Sequence, residues 1–412
     1  MAERTTHSVL RMRGRDPREE HRSATPLELL FDLTFVIAFG VAADELAHAI
    51  AEHHTREGLI GFGFAVFAVS WAWIFYSWFA SAYDTDDWMF RLLTMLQMVG
   101  VLILALGLPD MFKSIAEGDH VDNGVMVLGY IVMRVPMLLQ WLRASRQDPD
   151  RRPTHLAYMI SIVVSQIGWT LILFADLSVG AMFAAAVVPL LVELSGPVIA
   201  ETRLGGTPWH AHHIAERYGL MVIITLGEGL LGTTAALATL VEQGWTLDVA
   251  LLGVAGTALT FGVWWTYFVI PHGALLHTHR ERSFGWGYGQ IPLFGALVAI
   301  GAGLHVGAYH LGEEFEITLT TTVLAVAVPL AAYVLLLYLL YAQITRTADP
   351  FHLLLIAGSA VVIAAAIAMA AGGVDLVWCL LVLALTPWVT VVGYEAVGHR
   401  HNEAVIDSLS RP

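Results

Sequence analysis

The chain has one cysteine, Cys379, in 412 residues. A single thiol excludes an intrachain disulfide and a cysteine-based metal cluster, and its place inside an apolar run reads as inert packing. Charge is scarce too. Asp, Glu, Lys and Arg make up 14% of the chain against 57% hydrophobic residues, and the mean hydropathy is +0.67, far from the balance of a soluble globular domain. The marks of common catalysts are missing: there is no phosphate-binding P-loop, nucleophile elbow or HExxH. The runs GFGF from Gly61 and GWGYG from Gly285 sit in or beside apolar segments, without the strand–turn–helix setting of a dinucleotide fingerprint. Residues 1–24 are polar and Arg-rich, with no short apolar core before a small-residue cleavage site, so no secretory signal peptide is expected. Neither a cofactor nor a metal is expected.

What is present is long hydrophobic runs. They repeat at roughly 20 residues, the length a helix needs to cross about 30 Å of hydrocarbon, and are too long and too evenly apolar for barrel strands. The expected fold is all-α, a polytopic integral membrane protein. Twelve spans are predicted: 26–49, 59–80, 90–108, 122–141, 155–175, 179–200, 214–238, 248–270, 285–307, 318–341, 351–371 and 375–395.

With the N-terminus inside, the cytoplasmic segments hold Arg4, Arg11, Arg13, Arg15, Arg18, Arg22, Arg91, Arg143, Arg146, Arg151, Arg152, Arg203, Arg217, Arg280, Arg282, Arg346, Arg400 and Arg411, which is 18 of the 21 basic residues. Arg56 and Lys113 fall outside and Arg134 within a span. This asymmetry places both termini in the cytoplasm. The formal net charge of −14 argues against a nucleic-acid partner; the lipid bilayer is the expected surrounding, and homo-oligomerisation stays open.

FDLTFVIAFG from Phe31 overlies YGLMVIITLG from Tyr218 at an offset of 187, and each precedes a Trp-rich helix, WAWIFYSWF from Trp71 and WWTYFVI from Trp264. Matches in the same order suggest a parallel repeat of six plus six helices. The expected organisation is an Arg-rich tail at 1–24, a first half at 25–205, a second half at 206–398 and a C-terminal tail at 399–412.

RSATPLELLFDLTFVIAFGVAADELA from Arg22 and HIAERYGLMVIITLGEGLLG from His213 resemble the two signature segments of the bacterial low temperature requirement A (LtrA) family. The resemblance covers nearly the whole chain. The matching residues are Glu28, Phe31 and Asp32 in the first segment, and Glu216, Arg217, Gly219, Gly227 and Glu228 in the second. The sequence has LGEG at 226–229 where the family pattern leads to LGES or similar. The resemblance implies a bacterial multi-pass inner-membrane protein linked to growth in the cold, with no settled molecular activity.

The acids inside the spans carry what chemistry there is. Thr25, Pro26, Leu27 and Glu28 read as N-cap, N1, N2 and N3 of a capping box, so Glu28 is assigned to helix capping. Asp32 lies one turn further in and needs a partner. Arg134, taken as the one basic residue inside a span, and Glu193 lie at similar depth, so a polar cluster of Asp32, Arg134 and Glu193 is expected on the cytoplasmic side, either a lock between helices or part of an ion pathway. Glu228 stands 12 residues beyond Glu216, about 18 Å by helix rise and so near the bilayer midplane. An acid there is either protonated or faces a cation or water; Gly227 and Gly229 beside it allow close backbone approach. Asp44, Glu45 and His48 read as a solvated outer rim, and Glu216 and Arg217 as partners for loop groups.

Clustered histidines at 53–54, 210–213 and 277–279 fall on different sides, so a metal site is not expected from them; His305 reads as packing or as a pH-sensitive group. The Trp and Tyr residues of the second and eighth spans are expected in the bundle core or in interfacial belts. Three functions fit: a transporter or channel for an ion or small solute, proton-coupled through Glu228, with Glu228, Asp32, Arg134 and Glu193 along the path; an intramembrane enzyme acting on a lipid or small molecule; or a non-transport protein supporting growth in the cold. The first is preferred.

Overall fold

The computed structural model describes residues 9–17, 19, 22–241, 244–313, 315–347 and 349–398. The tail at 399–412, with Arg400 and Arg411, lies outside the described residues, as do Arg4 and Arg18 of the N-terminal tail. Among the described residues there are α-helices and short 3-10 and π turns but no strand, and twelve spans are long and apolar enough to cross a membrane. The expected all-α, twelve-span architecture is what the chain adopts.

The helices are α1 (Pro26–Ala51), α2 (Thr55–Tyr83), α3 (Trp88–Leu106), α4 (Leu108–Glu117), α5 (Gly124–Gln147), α6 (Arg152–Leu173), α7 (Val179–Arg203), α8 (Ala211–Val241), α9 (Leu247–Phe268), α10 (His272–Thr278), α11 (Ser283–Leu311), α12 (Leu319–Thr345), α13 (Pro350–Ala371), α14 (Leu376–Ala384) and α15 (Thr386–Gly393). Local chemistry sets many of the boundaries. Asp87 caps α3 by accepting the Phe90 N–H at 2.9 Å, and Thr246, Thr318 and Asp349 do the same for α9, α12 and α13. Three spans are divided between two α-helical segments, Trp88–Glu117, Leu247–Thr278 and Leu376–Gly398. In two of them a proline at the second helical position opens the new segment, Pro109 after Leu108 of α4 and Pro387 after Thr386 of α15, because proline lacks the N–H that would continue the preceding helix.

By contacts the chain forms two compact units. The first comprises Met1–Val41 with Ala68–Arg217. In it α3 packs on α5, α5 on α6 and α6 on α7. Gly100 and Gly129 let α3 and α5 meet backbone to backbone: a Cβ on Gly129 would stand 2.6 Å from the Leu104 nitrogen, and one on Gly100 2.7 Å from the Gly129 oxygen. Small residues at such crossings are how membrane helices gain packing without a hydrophobic driving force. Trp71, Trp73 and Tyr76 of α2 are fully buried, so these aromatics are core.

The N-terminal segment straps this unit. Leu10 N–H donates to Asp87 at 3.0 Å, Met12 N–H to Gln147 at 2.5 Å and Arg15 N–H to the Ala82 carbonyl at 3.0 Å. Met12 is completely buried.

The second unit comprises Ala42–Phe67 with Tyr218–Pro412. There α11 packs on α12, α12 on α13, and α9 on α14 and α15. Gly303 sets the α11–α12 approach, since a Cβ there would fall 2.3 Å from the Ala325 carbonyl oxygen. Trp264 and Trp265 of α9 are partly exposed, unlike the tryptophans of α2. Cys379 is buried, and its thiol donates to the Val374 carbonyl at 3.3 Å.

Candidate functional site

The opening acids of α1 meet two basic residues of α8 at matched spacing. Glu28 and Asp32 are four residues apart, and so are His213 and Arg217, so each pair occupies one helix face. His213 Nε2 lies 3.2 Å from Glu28, and Arg217 reaches Asp32 with Nη2 at 2.5 Å and Nε at 3.1 Å. Both pairings run at the same sequence separation, 185, so the two segments lie parallel and in register. Arg217 Nη1 also stands 3.0 Å from Glu28, and Trp73 of α2 donates its indole N–H to Asp32 at 2.6 Å. Phe31, one position before Asp32, stacks on Tyr76 with ring centroids 3.8 Å apart. All four charged or titratable partners are almost fully buried.

Glu28 does two jobs. The capping box read from the sequence is present: Thr25 N–H donates to the Glu28 carboxylate at 2.8 Å, and the Glu28 N–H to the Thr25 hydroxyl at 3.3 Å. The same carboxylate is an ion-pair member, with Arg22 at 3.8 Å as a further cation. Beside it, in the α2–α3 connection, Asp84 is buried and faces the Glu28 carboxylate; burial and that like charge raise its pKa to about 6. Asp87, three residues on, behaves oppositely: burial pushes its carboxyl up, but the hydrogen bonds from Arg143 and the Phe90 N–H outweigh it and leave the pKa lowered.

Two expectations are corrected here. Asp32 does not pair with Arg134, and Arg217, expected to partner loop groups from the start of its helix, instead pairs with Glu28 and Asp32 of α1. Arg217 lies six residues inside α8 and is completely buried, so Arg134 is not the one basic residue in a span. A carboxylate takes the fork it can bind through both oxygens, and Arg217 offers it. Arg134 instead pairs with Glu193 of α7 at 3.1 Å, its guanidinium over the Phe75 ring at 4.4 Å. Arg134 also lines a groove of about 310 Å³ between α5 and α6, together with Leu138, Gln166 and Thr170. Glu216, by contrast, is exposed.

The signal for Arg217 and His213 was in the sequence as an i, i+4 spacing opposite another i, i+4 spacing. Nothing in the sequence announced Trp73 as the third donor.

Glu228 lies in the second unit, near the middle of α8 and 2% exposed. Gly301 of α11 packs against its backbone, so closely that a Cβ on Gly301 would fall 2.6 Å from the Glu228 Cβ. Its Oε1 is buried with no hydrogen-bond partner among the described residues. In this it differs from Asp32 and Glu193, each of which accepts from an arginine. Gly219 packs on the Phe268 ring, whereas a Cβ at Gly227 would meet nothing within 4 Å. Toward the C-terminal end of α11, His305 Nδ1 lies 3.6 Å from Asp44, so Asp44 has a specific partner beyond the solvated rim read from the sequence. Among the described residues no group of three or more His, Cys, Asp or Glu is placed to hold a metal ion.

The sequence profile described as bacterial low temperature requirement A protein (LtrA) matches residues 23–387, a range that holds the first signature segment from Ser23 on, the whole second segment and all these acids. An uncharacterised protein of Rhizobium meliloti (strain 1021) is 26% identical over 326 residues, covering 75% of this chain and 74% of that protein. No solved structure matches. With the family profile spanning nearly the whole of a twelve-span chain, and its signature residues paired across α1 and α8, the protein belongs to the LtrA family.

Proposed function

We propose that this LtrA-family protein moves an ion or small solute across a bacterial inner (plasma) membrane, with proton coupling through Glu228. One observation carries the reading. Glu228 sits near the midpoint of a spanning helix with a buried carboxylate oxygen that no group among the described residues satisfies. An acid at that depth without a cation partner is costly to keep ionised and suits a group that takes up and releases a proton.

Asp32, Arg134 and Glu193 belong in this reading to the frame beside the path, since each is tied to a partner of opposite charge. The arginine asymmetry supports cytoplasmic termini, and the 187-residue offset supports a parallel repeat of the halves 25–205 and 206–398. The lipid bilayer and the transported ion or solute are the partners, with a homo-oligomer open to test.

The experiment is proton and alkali-cation flux into liposomes carrying purified wild type, Glu228→Gln or Glu216→Gln, beside empty vesicles. Flux in wild type that survives Glu216→Gln and drops at least tenfold in folded Glu228→Gln is the expected result. Wild type indistinguishable from empty vesicles under every gradient would remove ion transport as the function.

A further inference from the structure

The second unit holds two buried polar atoms on facing helices that have no hydrogen-bond partner among the described residues. One is Glu228 Oε1; the other is His305 Nε2. Their helices interleave through two glycines. A Cβ on Gly301 meets the Glu228 Cβ and backbone, and a Cβ on Gly232 meets the Gly301 carbonyl oxygen at 2.7 Å and His305 Cδ2 at 3.0 Å. Glu228 and Gly232 are four residues apart on α8, and Gly301 and His305 four apart on α11, so the imidazole edge bearing Nε2 faces α8 one turn from Glu228, about 6 Å along the axis.

The other nitrogen of the ring points elsewhere. His305 Nδ1 lies 3.6 Å from Asp44, whose side chain is 59% exposed while that of His305 is 16% exposed. Asp44 stands seven residues from the C-terminal end of α1, about 10 Å in by helix rise. An exposed carboxylate at that depth is tolerated where it faces water rather than lipid. Exposure thus falls along the series Asp44, His305, Glu228.

We propose that Asp44 and His305 form the outward arm of a proton path ending at Glu228. The inference rests on the proposed proton coupling and on the orientation that puts the C-terminal end of α1 outside. A proton taken from outer water by Asp44 passes to Nδ1 of a neutral imidazole carrying its hydrogen on Nε2. The imidazolium so formed releases the Nε2 proton to the Glu228 carboxylate through an intervening water, leaving a neutral imidazole with its hydrogen on Nδ1. Rotation of the ring about Cβ–Cγ then turns the Nδ1–H toward α8 and the bare Nε2 toward Asp44, so the next proton passes with the roles of the two nitrogens exchanged, and a second rotation restores the first state. One proton moves per rotation, and no bond other than N–H and O–H is made or broken.

The surrounding groups leave this route distinct. α12 brings no acidic, basic or histidine side chain to α11. On α1, Glu45 adjoins Asp44, and His48 packs with the Tyr309 and Phe315 rings rather than with His305. Asp375 precedes α14, whose Leu376 reaches the Gly307 turn. Beyond Tyr218, Glu228 is the one ionisable group of α8.

The test uses proteoliposomes with an imposed pH gradient and an internal pH dye, comparing wild type, Glu228→Gln, His305→Ala, His305→Gln and Asp44→Asn. Both His305 variants are expected to lose flux at least tenfold, with imidazole added outside restoring it in His305→Ala. Asp44→Asn is expected to slow entry and alter its dependence on external pH. Full, Glu228-dependent flux in His305→Gln overturns the arm while leaving proton coupling standing. A loss in both His305 variants that imidazole does not restore, with Asp44→Asn showing the wild-type pH profile, assigns His305 to packing and also overturns it. Absence of Glu228-dependent flux in wild type removes the proposed coupling itself, and the arm with it.

Discussion

Arg217 closes on Asp32 from two sides, Nη2 at 2.5 Å and Nε at 3.1 Å, and does so with no measurable exposure of its own. A planar fork held this way cannot be replaced by a point charge without loss. Removing it leaves a buried carboxylate unpaired, at a cost of about 3–5 kcal/mol. Arg217→Met is therefore expected to lower the unfolding midpoint in detergent strongly and Arg217→Lys to lower it less. A double-mutant cycle of Asp32→Asn with Arg217→Gln should give a coupling of about 2–3 kcal/mol; a coupling near zero would falsify the pairing.

The Arg134–Glu193 pair makes a different prediction, because it touches aromatic and apolar surroundings rather than further acids. Arg134→Met alone strands Glu193 and should cost about 3–5 kcal/mol, whereas Arg134→Met combined with Glu193→Leu should recover most of that loss, since buried pairs are often replaceable by apolar groups of similar volume. The check is the unfolding midpoint of the two variants measured side by side. A double variant no better than the single one contradicts it.

Asp84 gives the pH dependence. Its pKa rises from 3.8 to about 6 in the folded protein, so the folded state holds the proton more tightly than the unfolded one. Stability from this group is fully present below about pH 4 and is lost as pH rises through 6, a change of about 3 kcal/mol. Asp84→Asn keeps an acceptor for the Asp86 N–H and cannot ionise. The variant is expected to melt higher than wild type at pH 7.5 and to match it near pH 4; equal melting temperatures across the range contradict the assignment.

Close backbone approach makes Gly129 intolerant of even a methyl group. A Cβ there meets the Leu104 nitrogen at 2.6 Å and the Gly100 oxygen at 2.8 Å, so Gly129→Ala should separate α3 from α5 and cost about 1–3 kcal/mol. Gly63→Ala, where a Cβ meets nothing within 4 Å, is the control and should be neutral or slightly stabilising through helix propensity. Thermal unfolding of the two variants compares them directly.

Much of this fold was legible because the bilayer writes it in runs of apolar residues, and twelve such runs gave twelve spans. The capping box at Thr25 and Glu28 was legible for a similar reason: its chemistry is local. Partner choice was not. Asp32 has candidates at comparable depth in Arg134 and Arg217, and which arginine it meets depends on which helices are neighbours, a long-range fact that depth along a helix does not carry. The predicted span 214–238 holds Arg217, but a polar pair at a helix start reads as facing loop groups, whereas Arg217 turns to Glu28 and Asp32 of α1. Asp44 and His305 were each read alone, since nothing in sequence joins positions 261 residues apart.

The pairing of α1 with α8 also bears on how the chain is made. Asp32 emerges from the ribosome 185 residues before Arg217, roughly ten to forty seconds earlier at 5–20 residues per second. Through that interval Arg22 is already at hand for Glu28, but Asp32 stands without the guanidinium that holds both its oxygens in the folded protein. An unpaired acid in hydrocarbon is costly, so the first helix gains its full set of partners only when the seventh span arrives.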